Sequence, residues 1–564
     1  METPSTESGN WRLDLSGGKT GPTALHSDHR WLGIARCLVS VLCAANVFGS
    51  DLDSELPRMP ATKDIKVQVA FTGNQVFTSS ELAGIAQPIL DADGISLLSI
   101  ERARMAVTEH YIRHGYINSG AVVPSQDIGG GLLKIEVVEG QLTEVEVKGN
   151  RWIARRFYER PFKAMKGTAL QVGRLQEELQ QIRYDLPLKQ INGDLQPGAR
   201  LGEAKLNLEA KEEFPHHAGL MFRNDLPPSS GAHQVDLWVQ SSSVTRNLDT
   251  LSFQLGIYRF GQGDGGFLEG DNYSVDYRIP FTSFGTRFGG FVRRSTASVL
   301  EEPFNELDIS SDTRSYGLVL EQPLIHNLKR EWTLSVMAEH KDNRTYLFNQ
   351  PYTFSFDMPP GGENSVSVIR VASQYVQRST NDIFSVRATF SAGFDALGAT
   401  WDGQGLRDGD FKAVLIQAQY LRNIPGTRAQ VLIQGAGQYA NDNLLPVEQI
   451  SIGGAHSVRG YRENSLVRDI GIYGGLEVRI PVLGGARSQW LQLVPFVDAG
   501  AGWNRNGATP TPRDIQSVGI GLRSSPHPRI QGSLFWGYAF RDLVADRNDP
   551  QDHGIHFQLN ASFF

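Results

Sequence analysis

The chain has 564 residues, too many for one ordinary core at about one domain per 150 residues unless a large β-structure absorbs the length. Its 59 Gly, 28 Phe, 16 Tyr and 9 Trp, with 40% hydrophobic residues, favour that β-structure. A net charge of -7, with no concentrated positive face, argues against a nucleic-acid partner.

Both cysteines, Cys37 and Cys43, fall in WLGIARCLVSVLCAANVFGS, where an apolar stretch follows His29, Arg30 and Arg36 and ends in small residues. This reads as a secretory signal within residues 1–50, with an unusually long n-region of some 30 residues and cleavage near Gly49-Ser50. The exported chain would then be cysteine-free, as suits a Gram-negative periplasmic or outer-membrane address. A short linker at 51–64 follows. Beyond residue 50 no run of 18 apolar residues exists, so a membrane-crossing reading requires a barrel.

Two similar modules come next, at 65–140 and 141–213. VQVAFTGN (67–74) and VEVKGN (145–150) are alternating strands that stop at Gly-Asn turns, Gly73 and Gly149. In the first module Thr78 and Glu81 have capping-box spacing, and Ser99 is expected to open a second helix with Ile100, Ala103, Val107 and Tyr111 on one face. Strands follow at INSGAVV and LLKIEVVEG. The second module repeats the order, with Leu175, Leu179 and Ile182 on its longer helix and KLNLEAKEE as its last strand. Two tandem β-α-α-β-β domains are expected.

After Phe214 helical periodicity disappears and strands of about ten residues take over. DTLSFQLGIYR alternates Leu251, Phe253, Leu255 and Ile257 with small or polar residues; HQVDLWVQ, YSVDYRIP, DIFSVRATF and IQGSLFWGY behave alike. Prolines at 280, 323, 425, 481 and 526 are expected to close strands. The pattern predicts a sixteen-stranded antiparallel transmembrane barrel over 214–564, provided that LLPVEQISIGG belongs to a long loop at 441–469. The final strand, GIHFQLNASFF, is apolar at every second residue up to Phe563, with Phe564 one step out of register.

That loop contains SIGGAHSVRGYRENSLVRD, too charged for a hydrophobic span and longer than most structureless connections. In the strands that follow, alternation places Ile472, Leu476, Val478 and Ile480 outward. Tyr473, Glu477 and Arg479 then face inward. Phe496, Asp498 and Gly500 of FVDAG also turn inward. The loop is expected to fold into the barrel and anchor through Arg459, flanked by Gly460 and Tyr461, to the Asp498 carboxylate. Glu477 is a competing inward carboxylate. In a wet lumen the pair would contribute roughly 1 kcal/mol, and more if the site is dry.

SVRGY followed by FVDAG resembles the paired signatures of the outer-membrane protein-transport and insertion superfamily. GYINSGAVVPSQDIGGGLLKIEVVEGQ and VEQISIGGAHSVRGY are similar to its two-partner secretion branch, the TpsB or hemolysin activation and secretion family. The resemblance covers about residues 65 to 564. It implies that the two modules are POTRA (polypeptide-transport-associated) domains in the periplasm. It also implies that the barrel, among outer-membrane lipids and inserted by barrel-assembly machinery, exports one unfolded partner exoprotein without nucleotide. The family's plug helix would be missing or reduced, given the short linker.

An extended chain can add itself to an open strand edge, and the edge Asn118, Ser119, Gly120, Ala121, Val122 and Val123 is the expected first contact. Enzyme signals are poor. His110 and His114 lack the Glu a zinc protease needs after the first His, FGQGDGG is followed by no helix, and no G-x-S-x-G occurs. No metal, cofactor or catalytic residue is expected. A barrel-assembly insertase is the alternative, and a diffusion porin would not need the two modules.

Overall fold

The computed structural model describes residues 11–14 and 67–564, apart from 231, 258–271, 283–284, 299–306, 308, 355–360, 402–406, 408, 485–489 and 544–548. Apart from Trp11–Asp14, the signal-peptide and linker readings therefore lie outside the described residues, as does FGQGDGG. The chain divides into two compact units between Glu213 and Phe214.

The first unit contains one arrangement twice. Strand Gln68–Thr72 runs parallel to Leu132–Val138, and Gly120–Val122 pairs antiparallel on the other side of Leu132–Val138. In the second copy Gln141–Lys148 is parallel to Glu203–Glu212, which pairs antiparallel with Leu188–Pro197. A four-residue strand at Trp11–Asp14 extends that second sheet, with Trp11 opposite Leu195. Leu133, Ile135 and Val137 alternate inward and pack on Leu82, Ala86, Ala103, Val107 and Tyr111 of two helices, Ser79–Asp93 and Leu97–Arg113. The second helix starts earlier than its sequence suggests. Ser96, not Ser99, is its N-cap, and the hydroxyls of the two serines complete a reciprocal capping box.

Both Gly-Asn turns are held in the same way. Gly73 and Gly149 have φ of 82° and 83°, and a Cβ on either would lie 2.4 Å or 2.2 Å from a carbonyl oxygen of the last strand. Just beyond that strand in the first module, the Glu139 carboxylate accepts the N–H groups of Gln75 and Val76 and the Tyr111 hydroxyl. In the second module Glu212, at the strand's end, accepts those of Arg151, Trp152 and Ile153 and the Tyr158 hydroxyl at 2.7 Å. Burial, reinforced by the Glu212 carboxylate, pushes the Tyr158 hydroxyl well above its ordinary pKa, so it stays a donor. Glu212→Ala leaves three N–H groups and a buried phenol without their acceptor. It is expected to destabilise the second module by about 2–4 kcal/mol, read as faster hydrogen exchange over 141–213 in the full-length protein, with 67–138 unchanged.

In the second unit the strands are β1 (His216–Arg223), β2 (Gln234–Ser241), β3 (Thr250–Ile257), β4 (Asn272–Pro280), β5 (Arg287–Ser298), β6 (Ser310–His326), β7 (Arg330–Leu347) and β8 (Glu363–Arg378). They continue as β9 (Asp382–Phe394), β10 (Lys412–Asn423), β11 (Gln430–Ala440), β12 (Ile470–Leu483), β13 (Leu491–Trp503), β14 (Asp514–His527), β15 (Ile530–Ala539) and β16 (Ile555–Ser562). Each pairs antiparallel with its neighbours, and β16 returns to β1 to close a barrel. A two-residue bridge at Gln350–Pro351 touches only the tip of β7, so the wall has sixteen strands. Large apolar side chains such as Leu318, Ile369, Ile416, Ile433, Ile520 and Leu534 alternate outward and are exposed, while Glu339, Glu477 and Asp498 alternate inward and are buried. An outward apolar band of this kind fits lipid.

The connections at one rim run from two to eight residues, whereas those at the other reach the 29 residues of 441–469. All five prolines lie near the short-turn rim. Three of them do not close strands, however: Pro323, Pro481 and Pro526 sit inside β6, β12 and β14 where the register shifts. A residue that cannot donate to the ladder is accommodated at a bulge.

Candidate functional site

The 441–469 loop lies inside the barrel and has its own small framework. Ile450–Ile452 pairs antiparallel with Leu466–Arg468 and with no wall strand. Ile450, Ile452, Val458, Tyr461 and Leu466 form an apolar cluster with Ile515 of β14. Wall glycines make room for it. A Cβ on Gly500 would lie 2.5 Å from Ile452, and one on Gly471 would lie 2.8 Å from Ile450.

At the tip, the Arg459 guanidinium meets two carboxylates at once. Its Nε and Nη2 donate to Asp498 Oδ2 and Oδ1 at 2.7 and 2.9 Å, its Nη1 donates to Glu477 Oε2 at 2.9 Å, and its backbone N–H adds a 3.1 Å bond to Asp498. The guanidinium lies 3.8 Å from the centre of the Phe496 ring and 4.8 Å from that of Phe535. Planarity explains the choice of residue, because only an arginine offers a flat face to two rings and an edge to two acids.

Arg459, Asp498 and Glu477 are 4%, 1% and 2% exposed. Of the two cases, wet and dry, the dry one applies: the cluster is buried, and removing one partner would cost roughly 3–5 kcal/mol. Glu477 does not compete with Asp498 either. It binds a different guanidinium nitrogen, and Arg479 and Arg523 at 2.6 and 3.6 Å offset its charge.

Gly460 has φ of 96° and packs backbone to backbone on β15, where a Cβ would come within 2.9 Å of Gly537. Its N–H donates to His556 Nε2 at 3.3 Å. The Tyr461 hydroxyl donates to the Gln516 carbonyl at 2.9 Å and accepts the Arg541 N–H at 3.1 Å. Thus Arg459, Gly460, Tyr461, Phe496, Asp498, Gly500 and Glu477 are brought together on the β12–β15 side of the lumen.

Three further anchors escaped the sequence reading. Asp469 accepts from Arg407 Nη1 at 3.0 Å and from the Leu444 and Arg505 N–H groups, tying both ends of the loop to two neighbouring connections. Glu448 reaches the opposite wall, to Lys341 Nζ at 2.9 Å and Arg370 Nη2 at 2.8 Å. Arg462 pairs with Asp552 of the 540–554 connection, Nη2 to Oδ2 at 2.9 Å. Only Phe535 was legible, since alternation around the exposed Leu534, Trp536 and Tyr538 turns it inward.

The expected first-contact strip belongs to the first unit. Gly120–Val122 is an edge strand, but its outward backbone groups at Ala121 are covered: Thr108 Oγ1 accepts the N–H at 3.0 Å and Arg104 Nη1 donates to the carbonyl at 3.1 Å. Asn118 Nδ2 instead donates to the Gly202 carbonyl of the second module, and Ser119 Oγ accepts the N–H of Gly140, the last residue of the first. Val122 is 38% exposed, and Val123 packs partly buried against the module's core.

Comparison with known proteins finds matches in both units. Residues 202–524 match the model of the haemolysin secretion/activation protein family ShlB/FhaC/HecB, and residues 66–140 match a ShlB-type POTRA domain. The outer membrane transporter CdiB of Dickeya dadantii is 22% identical over 76% of this chain and 74% of its own length. The hemolysin transporter protein HpmB of Proteus mirabilis is 23% identical over 72% and 70%. Among solved structures, CdiB from Escherichia coli superposes with a TM-score of 0.62 at 20% identity, covering 94% of this chain and 96% of that one. BamA from Haemophilus ducreyi lacking POTRA domains 1–3 gives 0.55 at 12% identity, covering 88% and 99%.

Proposed function

The chain belongs to the haemolysin secretion/activation family ShlB/FhaC/HecB, and from that premise we propose that it carries one unfolded exoprotein from the periplasm through its barrel to the cell surface. It is an outer-membrane two-partner secretion transporter with its POTRA region in the periplasm. The observation that carries the reading is a closed sixteen-strand barrel with an anchored internal loop, in a chain matched by this family's model over more than half its length. The insertase alternative gives way, because the likeness to BamA is one of fold at 12% identity.

Transport here needs no catalytic group. An exoprotein arriving unfolded brings its own free energy, released as it folds outside, and the barrel contributes a water-filled path and a loop that can be held or released. Outer-membrane lipid covers the exposed apolar band, and assembly machinery inserts the barrel through β16, which Phe563 and Phe564 follow. The Arg459–Asp498–Glu477 cluster is proposed to hold the loop in its working position.

First contact is proposed at the Gly120–Val122 edge, where an incoming strand would displace the Arg104 and Thr108 side chains from Ala121. A Val122→Cys variant is expected to crosslink to the transiting exoprotein. A Lys148→Cys variant, exposed in the second module, serves as the comparison; equal yields at the two would remove the edge from the account. For the function as a whole, the chain is co-expressed with a large secreted protein encoded beside it. Appearance of that protein in the medium only when this chain is present supports the reading. Loss of other barrels from the outer membrane on depletion, with export unaffected, would replace it with the insertase.

A further inference from the structure

The anchored loop occupies one side of the lumen and leaves a cavity of about 430 Å³ along β4 to β11. The charge on its lining is uneven. Arg278, Arg293, Lys341, Arg370 and Arg387 face it, against the carboxylates of Glu321, Glu339 and Glu448. Glu448 comes from the loop, so the wall itself presents five cations and two acids.

These groups differ in how they are satisfied. Arg278 is paired with Asp276 and Glu321, and Arg370 with Glu339 at 3.2 Å and Glu448 at 2.8 Å. Among the described residues, Arg293 and Arg387 have no carboxylate partner: one guanidinium lies 4.2 Å from the centre of the Phe291 ring, and the other donates to Gln374 at 3.2 Å. Both are exposed to the lumen. Both Glu448 oxygens accept from Arg370 Nη2 at 2.8 Å, and one also accepts from Lys341. The loop's own carboxylate thus sits on the wall as a ligand would, and shows which chemistry the wall accepts.

We propose that this wall, from Arg278 and Arg293 through Lys341 and Arg370 to Arg387, is a carboxylate track that engages Asp and Glu side chains of the passing polypeptide, with Glu448 as its resident occupant. The inference rests on the secretion reading for its ligand. Closely spaced guanidinium groups in a narrow lumen raise the local concentration of anions. Contacts at the exposed Arg293 and Arg387 are solvated and therefore weak, so a carboxylate can be handed on from them to the next cation. When the loop limb carrying Glu448 moves, Arg370 and Lys341 join the track.

The test uses the purified full-length chain in planar bilayers under a KCl gradient, with no exoprotein present. The wild-type pore is expected to favour Cl⁻ over K⁺. The permeability ratio is expected to rise about twofold in Glu448→Gln, to fall to about one in Arg293→Gln/Arg387→Gln, and to invert in Arg293→Glu/Arg387→Glu. Heat-modifiable migration on gels checks that each barrel is folded, and the single substitutions are measured where a pair fails that check. A poly-glutamate peptide on the POTRA side is then expected to interrupt the current, and poly-lysine to leave it open. A cation-selective wild type, or a ratio unmoved by Arg293→Gln/Arg387→Gln, overturns the track while leaving the secretion reading intact. Anion selectivity without block by poly-glutamate would restrict the wall to small ions and overturn its role towards polypeptide.

Discussion

Arg459→Lys is expected to abolish export almost as completely as Arg459→Ala, in a barrel that still inserts and still closes. Charge is retained in the lysine variant, so the outcome isolates geometry. The guanidinium divides three nitrogens between Asp498 and Glu477 and presents a face to Phe496 at 3.8 Å. An ammonium is a compact, strongly hydrated charge on a flexible stem. It could meet one carboxylate well, but the other would stay buried with one partner fewer, and the two rings would lose their planar cation. For Arg459→Ala the loss of a buried partner costs roughly 3–5 kcal/mol.

That cost falls on the loop rather than the wall. The sixteen strands pair through backbone ladders in which Arg459 takes no part, so heat-modifiable migration should match wild type. Secretion should collapse, and protease cleavage within 441–469 should quicken. Adding Asp498→Ala to Arg459→Ala should cost less than the two separate effects combined, because the second change removes the acid stranded by the first. Wild-type export by Arg459→Lys would show that charge alone suffices.

Period-two alternation made the barrel legible, because lipid outside and water or a buried loop inside impose opposite demands on successive residues. The same alternation places Phe496, Asp498 and Glu477 inward, and the arginine in the loop is the natural partner for the acids. Dryness was not legible. It arises because Phe496, Phe535 and the loop's own apolar cluster exclude water from a site that the strand pattern shows only as inward. Glu448 and Asp469 were hidden for another reason. Glu448 ends a three-residue turn with no period to read, Asp469 is the single bend between the strands Leu466–Arg468 and Ile470–Leu483, and the partners of Glu448 are 78 and 107 residues away in the chain. At the first-contact edge, the pattern reported a strand but could not report that Thr108 and Arg104 of a helix had already covered it.

Gly460→Ala is expected to match Arg459→Ala in lost export, although it removes no hydrogen-bonding group. Two effects combine in it. At φ of 96° an L-residue is strained by about 1–3 kcal/mol, and the new methyl would lie 2.9 Å from the backbone carbon and oxygen of Gly537, which cannot rotate aside. The tip must therefore retreat from β15, drawing the Arg459 N–H and side chain away from Asp498. Two comparisons separate the causes. Gly537→Ala approaches the same contact from the wall, with its methyl 2.7 Å from the Gly460 Cα and no positive φ. Gly507→Ala, in the 504–513 connection, has φ of 80° and nothing within 4 Å of the new methyl. If close approach is what matters, export fails at 460 and 537 and survives at 507. Survival at 537 with failure at 460 would instead assign the effect to backbone strain, and the packing of the loop tip on β15 would no longer be needed to explain how the arginine is aimed.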